Sequence, residues 1–422
     1  MVPVLVAGGG LAGLACATRL HREGVAVLVL EAGDVVGGRV RSDVVDGFTV
    51  DRGFQVLNTA YPALQRAVRL RDLDLRPLPS GIRVRRAGRL HDLPHPASSP
   101  TAPLRAMASS ATGLRGKAAL ARYAGSVLAT RPRRLKERPD VPAGEAWATL
   151  PSGLVRDLLV PFLSGVVLED DMTTSRVFTD LMMRMFATGR SAVPAAGMQA
   201  LPHALARQLP SGSVRLGSPV AEVRPDRVTL ADGTAFEARA VVVATDPWTA
   251  PALVPALGTA PAPRGVTTYW FAARPWRGLD GTLAVDADGS GVTNSVVLSA
   301  SAPSYSTDGR ALVATSVLHT DGRARTDADT ARRTAAALHR APDDDWELVA
   351  AHDVPFALPA MTAPHPLRRP AYLPGAGVWV AGDHRDTSSI QGALASGDRV
   401  ARSVLRHLSA PSRPVAPHRS TR

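Results

Sequence analysis

The chain has 422 residues, 45% hydrophobic and 20% charged, which suits one large folded domain or two of ordinary size and excludes a disordered chain. The formal net charge of +12 is almost all arginine, since Lys117 and Lys136 are the only lysines; the charges are spread along the chain rather than gathered in a stripe, which argues against a nucleic-acid partner. The single cysteine, Cys16, excludes an internal disulfide framework and fits a reducing, cytoplasmic setting, and no run approaches the ~20 apolar residues of a bilayer span. The first apolar run, VPVLVA, lacks the basic flank of a secretory leader.

In chain order, PVLVA (3–7) reads as a buried parallel strand. It runs into GGGLAG, where Gly8, Gly10 and Gly13 satisfy G-x-G-x-x-G. Leu11 to Arg22 has helical apolar spacing and Gly24 stops it. VAVLVL (25–30) is a second buried strand, with Glu31 at its end, about 20 residues after the glycines. This is one βαβ unit of dinucleotide-binding size. Gly8 allows the tight turn, Gly10 lets backbone approach a pyrophosphate, and Gly13 lets helix and strand pack closely. The helix N-terminus offers amides and a positive dipole end to the phosphates. The Glu31 carboxylate can accept from ribose hydroxyls. A doubly wound α/β fold follows.

The next stretch, EAGDVVGGRVRS (31–42), carries E-A-x(4)-G-G-R-x-x-S. It resembles the segment that follows the same fingerprint in the flavin-containing amine oxidases, phytoene desaturases and protoporphyrinogen oxidases. The chain is identified as a member of that superfamily, nearer the carotene-desaturase-like branch. The resemblance implies FAD and places Gly37, Gly38 and Arg39 in a loop crossing the cofactor. Arg39 is a sensible counter-ion for a pyrophosphate; a solvated surface arginine is the plainer alternative.

GFTVD (47–51) reads as a strand, followed by an Asp51-Arg52-Gly53 turn. The stretch resembles a desaturase block in which Gln55 stands where relatives usually carry His. The resemblance places Gly53 and Phe54 near the flavin ring, and Tyr61-Pro62 begins a helix. IRVRRAGRLHDLP (82–94) reads as a hairpin, then helices are predicted over 102–108, 117–130 and 153–168. LLVPFLSGVVLED resembles the substrate-side helices of the superfamily, with ordinary core packing as the alternative. RPRRLKERP (131–139) is read as a solvated charged linker, with contact to anionic lipid as the alternative. His91 and His95 are the one close histidine pair, and Pro94 breaks any helix there, so no metal site is assigned.

The resemblance resumes at 191–223, where Gly197 and Met198 match a turn before a helix and the backbone of Val220 is expected to meet the adenine. The Asp232-Gly233 pair signals a hairpin and VVVAT (241–245) a central buried strand. Strand patterns fill 256–368, fitting an antiparallel sheet that floors a substrate pocket, and 327–341 is a capped amphipathic helix. GVWVAGD (377–383) is the last strand, with Asp383 in the crevice beyond the strand ends where such folds bind ligands. Ser388 or Ser389 can cap the helix that follows. The resemblance assigns Gly382 and Asp383 to the ribityl chain or pyrophosphate, and Ser389, Ile390, Gln391 and Ala393 to the flavin end.

These readings predict an FAD-binding domain assembled from 1–80, 195–255 and 370–408, a second α+β substrate domain from 81–194 and 256–369, and a disordered tail over 409–422. Cys16 lies in the wrong element for a covalent flavin, so non-covalent FAD is expected. Ile390 stands where amine oxidases of the superfamily carry an aromatic cage residue, and neither lysine sits where they hold a water. The expected activity is hydride transfer from a C–C or C–N bond of a largely apolar small molecule to flavin N5, with dioxygen or a quinone as acceptor. Catalytic residues stay unassigned; Gln55 and His384 are candidates for acid–base help, with loop or cofactor contacts as the alternative for both. The rival readings are an amine or amino-acid oxidase, a non-catalytic binder resembling prenyl-protein escorts, and a redox-neutral isomerase.

Overall fold

The computed structural model describes residues 2–95, 101–276 and 279–409, so the 410–422 part of the tail assigned to disorder lies outside the described residues. The strand Val2–Ala7 lies at the centre of a parallel sheet. Val27–Leu30 and Ala235–Val243 pair with it on either side, both parallel. Val214–Arg215 extends the sheet beyond Val27–Leu30, and Val378–Val380 extends it beyond Ala235–Val243. Val4, Leu5, Val6 and Ala7 are all fully buried, which is why this strand reads as one unbroken apolar run: helices or meander cover both faces.

Ala235–Val243 serves two sheets. Its first residues pair antiparallel with Arg227–Leu230, which pairs in turn with Val220–Val223; its last residues join the parallel sheet. The turn between is closed by Leu230 N–H to Thr234 O at 2.8 Å, with Gly233 at φ +83° as the sequence requires. The N-terminal helix Leu11–Arg22 packs tightly on the C-terminal helix Ile390–Ser409. Gly397 makes that crossing close enough that a Cβ there would stand 2.2 Å from the Ala12 carbonyl oxygen.

A second sheet runs Glu347–Pro359, Pro263–Ala273, Ala311–Thr320, Val292–Val297 and Leu283–Asp286, antiparallel throughout. The predicted hairpin, Gly81–Arg86 with Arg89–Pro94, adds to its edge through a parallel pairing with Leu283–Asp286. Alternate residues face opposite sides. Phe271, Val297, Val313 and Val317 pack with the helix Ala328–Leu338, which Asp327 caps through the Thr330 amide at 2.7 Å. Trp270, Ala272, Val296, Leu312 and Ala314 turn to the main core.

Helices fill the 102–188 stretch. The predicted 117–130 helix begins earlier, at Leu114, and the predicted 153–168 helix is interrupted by a π-type turn at Val155–Leu159. Pro161 sits just past that turn, and its missing N–H removes a regular helical hydrogen bond there. The stretch read as a linker contains one helical turn, Pro132–Leu135, anchored by the buried Leu135.

Candidate functional site

A continuous cavity of about 2050 Å³ runs from the carboxyl ends of the parallel strands to the 102–188 helices, with the antiparallel sheet as one wall. Single small-molecule pockets hold about 300–1,000 Å³, so there is room for a large cofactor and a substrate together. Among the described residues no group of three or more His, Cys, Asp or Glu could hold a metal ion.

The glycine loop forms one end. A Cβ on Gly8 would stand 2.6 Å from Ala244 O, and one on Gly13 would stand 2.0 Å from Gly8 O, so packing of the chain itself demands both glycines. A Cβ on Gly10 would meet nothing within 4 Å, although Gly10 lines the cavity. Its bareness keeps the cavity open rather than serving the fold. The helix Leu11–Arg22 starts here with no side-chain cap and no acidic residue in its first turn. An uncapped N-terminus facing a cavity is a site for an anion. Glu31 accepts from Gly9 N–H at 2.6 Å and Gly33 N–H at 2.8 Å, one on each oxygen. Each oxygen keeps a further lone pair, and Val220 lies along the same cavity.

Gly37, Gly38 and Arg39 line the next section. Arg39 donates to Asp383 Oδ1 at 2.7 Å and to the Ala357 carbonyl at 2.7 Å, and its guanidinium sits 5.8 Å from the centre of the Trp248 ring. Gly53, Phe54 and Gln55 come next, with the Phe54 amide donating to Thr268 Oγ1 at 3.2 Å. Gln55 Nε2 donates to the Arg39 carbonyl at 2.9 Å; its Oε1 is buried with no partner. Gly382, Asp383, Ser389, Ile390 and Ala393 close this section from the other side. Of the two predicted caps, Ser389 acts: its hydroxyl accepts from the Gly392 amide at 3.0 Å.

Besides Gly13, which is packed inside the fold and does not line the cavity, two sequence candidates lie elsewhere. Gln391 Oε1 accepts from the Ala63 amide at 2.8 Å, tying the C-terminal helix to the helix Pro62–Ala67, and Gln391 does not line the cavity. His384 opens on a separate pocket of about 90 Å³ shared with His365, Arg369 and Arg385. Both its ring nitrogens lack partners, and burial pushes its pKa down to about 4, so the ring is neutral at pH 7.

Trp248 and Phe186 escaped the sequence reading, whereas Phe162 lies in LLVPFLSGVVLED and Asn294 in the 256–368 strands, both read there toward the substrate side. Trp248 follows the strand Ala235–Val243, where a strand's carboxyl end is itself a usable signal. Phe162 and Phe186 meet edge to face at 5.2 Å in the far section, and Asn294 brings a buried Oδ1 without a partner to the wall. Lys117 also lines the far section, but its ammonium donates to the Met107 carbonyl. The carboxylates along the cavity are Glu31, Asp246 and Asp383. Glu31 holds backbone amides, Asp383 pairs with Arg39, and Asp246 accepts from the Trp248 and Thr249 amides at 2.9 Å each.

A bare glycine loop, an uncapped helix end and a second helix start across one cavity are the frame of a nucleotide-cofactor oxidoreductase. Residues 11–405 match the family described as flavin containing amine oxidoreductase, and the chain belongs to it. A segment of 56 residues is 52% identical to human lysine-specific histone demethylase 2; that match spans 13% of this chain and 7% of the demethylase. The fold is similar to a protein from Exiguobacterium sp. 255-15 named provisionally as a protoporphyrinogen oxidase (TM-score 0.71, 19% identity, covering 96% of this chain and 99% of the other). It is similar also to cyclohexylamine oxidase from Brevibacterium oxydans IH-35A (TM-score 0.67, 21% identity, 97% and 100%).

Proposed function

We propose that the chain binds FAD non-covalently and transfers hydride from a C–C or C–N bond of a neutral, largely apolar small molecule. The glycine loop, Glu31 and Val220 hold the adenosine and pyrophosphate portion, Arg39 and Asp383 the middle, and Gly53, Phe54 and the Ser389–Ala393 helix start the ring. In this reading 1–80, 195–255 and 370–408 serve the cofactor, and 81–194 and 256–369 the substrate. The flavin supplies the hydride acceptor when bound. The chain's own part is to orient the substrate, exclude water, and present neutral acceptors such as Gln55 Oε1. The helix start at Ile390 directs amides toward developing negative charge. Cys16, the one cysteine, is buried inside the Leu11–Arg22 helix, which supports a non-covalent cofactor.

The observation that carries the substrate class is the carboxylate arrangement. Glu31, Asp246 and Asp383 are each already held by amides or an arginine, and the far section adds Lys117 rather than an acid. A buried ammonium substrate would find no counter-charge there, and burying an unpaired ion is costly. The family name favours the second reading, an amine oxidase. Anaerobic mixing of the flavoprotein with polyenes, porphyrinogens and amines separates the two. Bleaching of the flavin by a neutral apolar compound is expected; bleaching by amines alone would establish the second reading. Reoxidation by dioxygen against a quinone then assigns the acceptor.

A further inference from the structure

Between Thr101 and Lys136 the chain carries Arg105, Arg115, Lys117, Arg122, Arg131, Arg133, Arg134 and Lys136, and not one Asp or Glu. Elsewhere among the described residues a little over half of the arginines are ion-paired; here Arg105, Arg115, Arg122, Arg131, Arg133 and Arg134 are all exposed and none pairs with a carboxylate among the described residues. The same segment exposes large apolar side chains that an aqueous surface does not explain. Leu104 is 74% exposed, Met107 58% and Leu114 74%.

The helix Leu114–Ala129 shows how these are arranged. Its exposed residues include Leu114, Ala118, Ala121, Gly125 and Leu128, at spacings of three and four, so they form one stripe along one face without a polar side chain. Arg115 and Arg122 flank that stripe. Gly116, Ala119 and Val127 are buried against the protein on the other face. A globular helix normally turns charge to water and apolar residues inward; this one has apolar residues on both sides and cations at the margin. The cavity reaches the same surface, because Met107, Ala121 and Leu128 line it while being exposed.

We propose that this face docks on an anionic lipid bilayer, lying in the headgroup region with the apolar stripe inward, so that the cavity mouth opens to the acyl phase. Charge selects the occupant. Excess cations with apolar side chains between them match a negatively charged lipid surface, whereas a second copy of the chain would bring the same cations face to face. Apolar exposure at the mouth is also unsuited to a nucleic-acid backbone. No helix of the described residues is long and apolar enough to cross a membrane, so the contact is peripheral. This inference concerns the surface and stands whether the substrate proves to be neutral or an amine.

The test is flotation of the full flavoprotein with phosphatidylcholine vesicles, with and without phosphatidylglycerol. Binding is expected only when the anionic lipid is present. Each cation at the surface contributes roughly fivefold to partitioning, so Arg115→Gln with Arg122→Gln lowers it by about 25-fold. Leu104→Ser with Leu114→Ser weakens the binding that survives in high salt. None of these four lines the cavity, so turnover of a water-soluble substrate stays unchanged. An environment-sensitive dye on Leu114→Cys should shift to the blue with anionic vesicles. Equal binding to both vesicle types, no binding at all, a dye signal that does not move, or a dimer dissolved by Leu114→Ser would each overturn the proposal.

Discussion

Arg39 and Asp383 stand 344 positions apart in the chain and meet at 2.7 Å, Nη2 to Oδ1, on the wall of the central cavity. The pair joins the loop after the second parallel strand to the end of the last one. Asp383 is almost wholly buried, whereas about a third of Arg39 is exposed. The contact therefore matters most as the partner of a buried carboxylate. Arg39→Ala should destabilise the flavin-free protein by about 1–3 kcal/mol in urea unfolding and weaken flavin retention. Arg39→Lys should recover only part of both, because one ammonium cannot serve Asp383 and the Ala357 carbonyl in the arginine's planar geometry.

The glycine loop separates folding from binding. Gly10→Ala puts a methyl group into open cavity and should give a folded protein with a normal melting transition that retains little flavin. Gly13→Ala drives its Cβ into the Gly8 carbonyl and should lower stability outright, by about 1–3 kcal/mol. Circular dichroism melts with flavin content measured in parallel distinguish the two. Equal flavin retention by Gly10→Ala and the parent would place the phosphates elsewhere.

Stability between pH 4 and pH 6.5 should reflect opposing groups. Burial raises the pKa of Asp51 from 3.8 to about 6, against hydrogen bonds from Ser42, Met198 and Tyr305 that lower it. Folding then takes up a proton, so its contribution grows as pH falls from 6 to 4 and is lost as pH rises. Burial lowers His384 from 6.5 to about 4 and His339 to about 3, so the folded chain binds fewer protons there and stability falls as pH drops below 6.5. Each group can contribute a slope of about 1.4 kcal/mol per pH unit. Asp51→Asn should steepen acid unfolding and His384→Asn should flatten it, as read from unfolding midpoints across that range.

Cys16 is fully buried, and burial with the nearby Asp398 pushes its thiol far above the ordinary range. Thiol reagents should leave the native protein unlabelled and react with one equivalent only after denaturation. Rapid labelling of the native state would mean that the crossing of the Leu11–Arg22 and Ile390–Ser409 helices opens readily.

Local pattern made the two ends of the cavity legible. The βαβ unit, the Asp232-Gly233 turn and the Asp327 cap each follow from residues within a few positions of one another. Longer pairings were not readable. Nothing near Val214–Arg215 signals that two residues extend the parallel sheet, and nothing near Gly81–Arg86 signals a parallel partner at Leu283–Asp286. The same holds for side chains. Gln391 sits in the right motif yet turns to the Ala63 amide, a partner from an element distant in sequence, and His384 turns to the smaller pocket, where its ring nitrogens meet no partner at all. The pattern over 117–130 predicts a helix, but periodicity cannot say which side of that helix is left uncovered.

The most direct measurement is the visible spectrum of the purified protein, followed by heat release of the chromophore and phosphodiesterase digestion. The expected result is a yellow protein that gives up FAD intact on heating, with the chromophore becoming flavin mononucleotide after digestion. A protein that stays colourless and takes up no FAD, or a nicotinamide nucleotide recovered in its place, would contradict the assignment of both ends of the cavity to one flavin dinucleotide.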